Sequence, residues 1–284
     1  HAQDSPCHPV RPFCGSMAVL LAKPPCVMET VNDLHAGLVN LARVIQDDVL
    51  GPAFYRRLRR VLMHETFFQE SDAEFRADES RDFAGRILRD EDAATASNRL
   101  LCAYDYFIVS WLGRNGSSGT PAASKGTYCV RYTGNGGHAG KRWNSAVASI
   151  PAWRRRMRNV TILNRDGFDL LARIEDAEGT AIYCDPPYLV KGDKYLHDFE
   201  AQDHQRLADS LGRFRKARVV VSYYEHPLLD KLYPSWTRVC RTVNKALAHG
   251  GQRGANQSQA VEVLLLNGPS YTQPTMPLME GAAR

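Results

Sequence analysis

Apolar residues in this chain fall at two spacings, and the switch from one to the other marks out its elements. Residues 10–15 form an apolar run ending in glycine, and residues 27–31 form a second that closes at Asn32-Asp33; both read as strands. Residues 18–22 open a short helix before Pro24-Pro25. Leu38, Leu41, Ala42 and Ile45 recur about one helical turn apart, which predicts an amphipathic helix after the second strand. Residues 51–158 begin helical, over 55–64, 82–89 and 94–106, and become loop-like through 113–126 and 134–140, where Gly, Ser and Asn dominate. The strand-helix rhythm then resumes: strand 160–163, helix 168–174, strand 180–184, and helix 204–214 with Asp203 as its N-cap. A β-branched run at Val219-Val220-Val221 marks a strand over 218–222, and strands over 239–243 and 261–266 follow. Strands alternating with helices predict an α/β fold, a doubly wound and mostly parallel sheet covered on both faces. Residues 1–50 and 159–284 are expected to build that sheet, with 51–158 as an inserted, largely helical domain.

Composition narrows the class without naming it. With 284 residues, 44% hydrophobic and 24% charged, the chain has the make-up of a globular protein, which excludes wholesale disorder, a collagen repeat and a coiled coil. No apolar run approaches the ~20 residues that span a bilayer, so a soluble, cytoplasmic protein is expected. Its seven cysteines include no Cys-x-x-Cys pair, which argues against a zinc ribbon or a disulfide framework and for free thiols and no metal. The first residue is His1 rather than Met, which suggests a piece of a longer chain.

Charge changes the picture more. From Tyr106 to Arg158 there are nine Lys or Arg and no Asp or Glu, so this stretch carries all of the net +5 and leaves −4 on the rest. Trp111, Tyr128, Tyr132, Trp143 and Trp153 are interleaved with those cations. Cations neutralise phosphates and aromatic rings stack on bases, so the segment suits a nucleic acid. A solvated, arginine-rich face is the alternative.

Three segments would meet beyond the carboxyl ends of the predicted strands, where open α/β sheets bind ligands. Phe13-Cys14-Gly15-Ser16-Met17 is a turn that lets a cofactor approach the backbone. Asp33, eighteen positions after Gly15, is placed to accept both hydroxyls of a ribose. Asp166-Gly167-Phe168 offers a carboxylate for an adenine amino group and a ring to cover the base. The sharpest motif is Asp185-Pro186-Pro187-Tyr188. Two prolines hold its backbone extended, so the Asp185 carboxylate and the Pro186 carbonyl can both accept hydrogen bonds from one exocyclic amino group. Tyr188 adds a flat ring for a flipped-out base.

With these motifs in this order, the chain resembles the Dam-like (D12 class, alpha group) adenine-N6 DNA methyltransferases that use S-adenosyl-L-methionine. The resemblance runs from Pro12-Phe13-Cys14-Gly15-Ser16 through Val31-Asn32-Asp33-Leu34, Asp166-Gly167-Phe168, Tyr183-Cys184-Asp185-Pro186-Pro187-Tyr188 and Asp203-His204 to Val261-Glu262-Val263-Leu264. It implies a Rossmann-like methyltransferase sheet with Phe13, Gly15, Asp33, Asp166, Phe168 and Asp185 around the cofactor. It further implies that Asp185 through Tyr188 hold the target adenine. It places DNA contacts in the insertion, at Arg114, Asn115, Lys125, Arg131, Lys141, Arg142, Arg154 and Arg155. A bacterial or phage-encoded enzyme acting on double-stranded DNA is implied, a monomer or weak dimer, with or without a restriction endonuclease partner. The rivals are a catalytically silent DNA-binding relative and an RNA or protein N-methyltransferase; the latter usually carry Asn where Asp185 stands.

The chain departs from the family pattern at Met17, where a second glycine is usual, so its side chain is expected to crowd the methionine end of the cofactor. The family's Gly-Gly-Lys segment has no match in residues 1–10, with Lys23 and Arg11 as candidate substitutes. Cys14, Cys184 and His204 are expected to be structural. Ser222-Tyr223-Tyr224 either touches the target base or packs the sheet end. Arg154, Arg155, Arg156 and Arg158 either grip phosphates or form a solvated helix face.

Overall fold

Short β-branched runs and longer amphipathic stretches separate into one sheet and two helical layers in a computed structural model, which describes residues 8–80, 82–89, 93–113, 128, 139–189, 199–244 and 259–268. The strands are β1 (His8–Arg11), β2 (Glu29–Asn32), β3 (Val160–Leu163), β4 (Thr180–Cys184), β5 (Arg218–Tyr224), β6 (Thr237–Asn244) and β7 (Gln259–Leu266). They lie in the order β3-β2-β1-β4-β5-β7-β6. Strands β1 to β5 are parallel, and β7 runs antiparallel between β5 and β6. The chain moves outward from β1 to β3 and then returns to β4 beside β1. That reversal opens a crevice above β1 and β4 at their carboxyl ends.

The first helical layer comprises α1 (Ala18–Ala22), α2 (Ala36–Gln46), α3 (Leu50–Leu58), α4 (Glu65–Ser80), α5 (Phe83–Arg89), α6 (Ala93–Leu112) and α7 (Ala139–Met157). The second comprises α8 (Gly167–Arg173), α9 (Ala201–Gly212) and α10 (Leu228–Leu232). Each layer has its own core. Val31, Val160 and Ile162 pack with Leu20, Val39, Phe54, Phe107, Trp143 and Ile150 on one side. Ile182, Val219, Val221 and Val263 pack with Leu171, Leu207, Leu211 and Leu229 on the other. Phe54, Phe107 and Trp143, from the segment expected to be inserted, therefore share a core with strands β2 and β3.

Several boundaries differ from the sequence reading for local reasons. Strand β1 ends at Arg11 rather than running to residue 15, because Pro12 has no N–H for the ladder. Helix α7 begins within the expected loop at 134–140 and continues through Pro151. Its buried residues Trp143, Ala146, Val147, Ile150 and Met157 keep helical spacing. Helix α4 was missed because its apolar anchors are few, chiefly Phe68 and Phe75, two turns apart. The N-cap of α9 is Glu200, not Asp203; Asp203 is the reciprocal partner in a capping box, its carboxylate accepting the Glu200 N–H at 2.9 Å.

One buried ion cluster joins the first layer to the sheet. Glu29 is 3% exposed and holds Arg156 through two bonds, 2.5 and 2.9 Å, with Lys23 Nζ at 2.6 Å. Burial would raise the Glu29 carboxyl, but the hydrogen bonds from Arg156 and Lys23 outweigh it and hold it down at about 2. Arg156 is therefore internal rather than part of a solvated or phosphate-gripping face. Lys23 is committed to the same cluster, and Arg11 is buried in β1.

Candidate active site at the carboxyl ends of the strands

Three strand ends are drawn together by one buried side chain, beside a glycine turn. Asn32, wholly buried at the end of β2, donates to the Pro12 and Arg165 carbonyls at 2.9 Å and accepts from the Arg165 N–H at 3.1 Å. It thereby clamps the segments leaving β1 and β3 to β2. Gly15 follows β1 at φ 45°, a left-handed conformation that glycine adopts without a steric penalty. Among the described residues nothing lies within 4 Å of the place its Cβ would take, so the turn leaves room beside it.

Asp33 is held from both sides. Its Oδ2 accepts the Gly15 N–H at 2.9 Å and its Oδ1 the His35 N–H at 2.9 Å. Asp166 caps α8, with Oδ1 accepting from Phe168 and Asp169 N–H at 2.7 and 3.3 Å. The Phe168 ring lies nearly parallel to Phe199, with centroids 5.8 Å apart, and Phe13 meets both edge-on. A Cβ at Gly167 would come within 2.5 Å of the Phe13 ring, so this position must lack a side chain for that contact to form.

Asp185 leaves β4 between these groups and the Tyr188 ring. It is exposed to the cleft, yet burial of its inner side raises its carboxyl above the usual range. Hydrogen bonding from Tyr188 opposes that rise, and the charge of Glu262 adds to it. Tyr188 packs on Tyr224, with centroids 4.4 Å apart, and burial pushes its hydroxyl up. Tyr183, on the preceding strand, is pushed up to about 12, chiefly by burial.

All nine residues expected around cofactor and base line one cavity of about 830 Å³: Phe13, Gly15, Asp33, Asp166, Phe168, Asp185, Pro186, Pro187 and Tyr188. That size is within the range of small-molecule and cofactor pockets. Its inner side is apolar, formed by Leu38, Leu41 and Ile45 of α2 with Phe107, Trp153 and Met157. A family model for D12 class N6 adenine-specific DNA methyltransferases matches residues 7–246. The chain belongs to this family. Its reaction is site-specific methyl transfer to N6 of adenine in DNA, rather than to RNA or protein. No curated protein sequence matches the chain.

The remaining features of this D12 methyltransferase sort into site and scaffold. Cys184 is fully buried and Cys14 half-buried, and burial raises both thiols, so they are neutral packing groups. His204 is buried against Phe199, with Nδ1 2.9 Å from the Tyr223 hydroxyl, and burial lowers it to about 4; it is neutral and structural. Tyr223 is wholly buried, whereas Tyr224 reaches the site through Tyr188. Met17 lines the cavity but is 5% exposed and belongs to the first core.

Among the cations expected on DNA, Lys141, Arg142 and Arg155 are exposed on α7. Arg154 pairs with Asp48. Arg114, Asn115, Lys125 and Arg131 lie outside the described residues. The sequence reading missed Phe199 and Arg206. Arg206 lies over the Phe168 ring, 4.0 Å from its centroid, and α9 turns it toward the cavity one helical turn from its start. No helix among the described residues is long and apolar enough to cross a membrane.

Proposed function

We propose that this methyltransferase binds S-adenosyl-L-methionine in the cavity at the carboxyl ends of β1 to β4 and takes a flipped adenine of duplex DNA onto Asp185-Pro186-Pro187-Tyr188. The supporting observation is that the four segments read as cofactor- and base-binding, around Gly15, Asp33, Asp166 and Asp185, all border that one cavity. The residues present fit an adenosyl group. Asp33 is oriented by two backbone N–H groups and retains lone pairs for two hydroxyls. Asp166 Oδ2 has no partner among the described residues, which leaves it for an amino group. Phe168, Phe13 and Phe199 form an aromatic wall for the base.

When bound, the cofactor supplies a methyl group already activated on a sulfonium. The chain's own task is to position and polarise the adenine amino group. Asp185 and the Pro186 carbonyl accept its two hydrogens, which frees the nitrogen lone pair for in-line attack. Tyr188 holds the ring by stacking. Asp185 is exposed toward the cleft and therefore accessible to the substrate.

Segment 51–158 is assigned to target recognition, with Lys141, Arg142 and Arg155 on phosphates. By sequence, Arg114, Asn115, Lys125 and Arg131 join them, whereas Arg154 is spent on Asp48. The test is transfer from labelled S-adenosyl-L-methionine to unmethylated DNA, followed by nucleoside mass analysis. The wild type is expected to yield N6-methyladenine, and Asp185→Ala to retain the fold and yield none. Undiminished transfer by the variant would remove Asp185 from the chemistry.

A further inference from the structure

Behind Asp185 the sheet carries a second carboxylate that the reading above does not use. Neighbouring strands in register expose matching residues on one face. Tyr183 of β4 pairs with Val220 of β5, two residues before Ser222, and Tyr224 of β5 pairs with Glu262 of β7. Tyr183, Ser222, Tyr224 and Glu262 therefore share one face, next to the turn that carries Asp185 and Tyr188. Ser222 is fully buried, and its Oγ donates to Glu262 Oε1 at 3.1 Å. At both Tyr183 and Tyr188 the Ser222 hydroxyl opposes the rise that burial causes, so the three hydroxyls act on one another as a cluster.

We propose that Glu262 is a positioning residue for methyl transfer: by taking the single Ser222 proton it sets the direction of the tyrosine hydroxyls and keeps the Asp185 carboxylate available for the adenine amino group. The inference rests on the reading of Asp185 given above. A serine hydroxyl has one proton and two lone pairs. Once that proton lies on Glu262, Ser222 can only accept, so the Tyr183 and Tyr188 protons turn toward it. Tyr188 then donates less to Asp185. Without Glu262 the order reverses: Ser222 donates a hydrogen bond to Tyr188, and Tyr188 donates its own to Asp185, which occupies a lone pair that substrate would otherwise use.

Charge acts in the same direction. The negative charge of Glu262 disfavours ionisation of Asp185 and so makes its carboxylate more basic. The titratable groups facing Asp185 are Tyr183 and Cys184 on β4, Tyr188 in the turn and Glu262 on β7. Arg11 of β1 acts on Tyr183, Tyr224 acts on Tyr188, and Arg241 of β6 occupies the register position opposite Glu262. A more basic Asp185 is better suited to receive the N6 proton. As the N–C bond forms and the donor's S–C bond breaks, the nitrogen becomes cationic. Its proton passes to Asp185 and from there to water through the open cleft.

The experiment titrates the Asp185 carboxyl by carbon NMR in the cofactor-free protein, comparing wild type with Glu262→Gln, Glu262→Ala and Glu262→Asp. Glutamine keeps an acceptor for Ser222 but removes the charge; alanine removes both. The expected order of Asp185 pKa is wild type, then Gln, then Ala, with Gln lower than wild type by about half a unit or more. Aspartate restores the value in part. The acid limb of the pH–rate profile moves downward in the same order, while melting temperature changes little for Gln. An Asp185 titration that is the same in wild type, Gln and Ala would overturn the proposal even if transfer fell. Absence of transfer by the wild type would instead overturn the reading of the site, and the carboxyl titration would still judge the network.

Discussion

Met17 has φ 58°, in the left-handed region that side chains avoid, and it is also nearly fully buried. The two facts pull a glycine substitution in opposite directions. Relief of the backbone conformation returns about 1–2 kcal/mol, whereas loss of a buried methionine side chain costs about 2–5 kcal/mol. Burial wins, so Met17→Gly is expected to lower stability by about 1–3 kcal/mol in denaturant unfolding. An increase would show that strain dominates. Glu29 gives a second test. Its carboxyl is held at about 2, below an unfolded value near 4.5, so its stabilisation is complete above about pH 4.5 and is lost as pH falls through 2. Glu29→Gln should flatten that acid limb of stability. At neutral pH it should cost about 3–5 kcal/mol, because Arg156 is left without its counter-charge. The placement of Asp33, Asp166 and Asp185 just beyond strand ends was legible in the sequence, because each follows an apolar run that ends at its motif. The contacts of Phe199 and Arg206 with the Phe168 ring were not, since they join residues far apart along the chain; Glu262 stood within a recognised motif, but nothing in that motif pairs it with Ser222.

At the scale of elements, legibility followed the density of apolar anchors. Strands β3 and β4 have the boundaries expected from the sequence, and α2 covers all four residues that signalled it. Helix α4 disappeared from the pattern because polar residues fill most of its length, and α7 because glycines surround its start and a proline, Pro151, stands within it. The start of α9 was displaced for another reason. Asp203 has the right chemistry for a cap, but Glu200 occupies the extended cap position and the two side chains satisfy each other's backbone. Glu200 is exposed and does not line the cavity, so its role can be separated from the chemistry. Glu200→Ala should lower thermal stability by about 0.5–2 kcal/mol, with methyl transfer at low temperature unchanged. A loss of transfer without a loss of stability would give this position a direct part in the site.

For the whole molecule, the acid-free stretch from Tyr106 to Arg158 predicted an electrostatic surface, but its cations are not equivalent. Arg156 is inside, tied to Glu29, and Arg154 is neutralised by Asp48, so neither is available to a phosphate without giving up a partner. Lys141 and Arg142 sit exposed at the start of α7, and Arg155 is exposed near its end. Each cation that neutralises a phosphate releases condensed counterion and steepens the salt dependence of binding by about one unit of slope. Replacing Lys141 and Arg142 together should therefore reduce the slope of log K against log salt by about 2, leaving the melting temperature near wild type. Arg156→Ala should do the reverse. It leaves a buried carboxylate short of its main partner, so stability falls, while the slope measured on the remaining folded protein is unchanged. Salt titrations of DNA binding alongside thermal melts of the three proteins distinguish the two kinds of arginine. If Arg156→Ala changed the slope and Lys141→Ala/Arg142→Ala did not, the DNA would have to lie against the Glu29 cluster rather than along the outer face of α7.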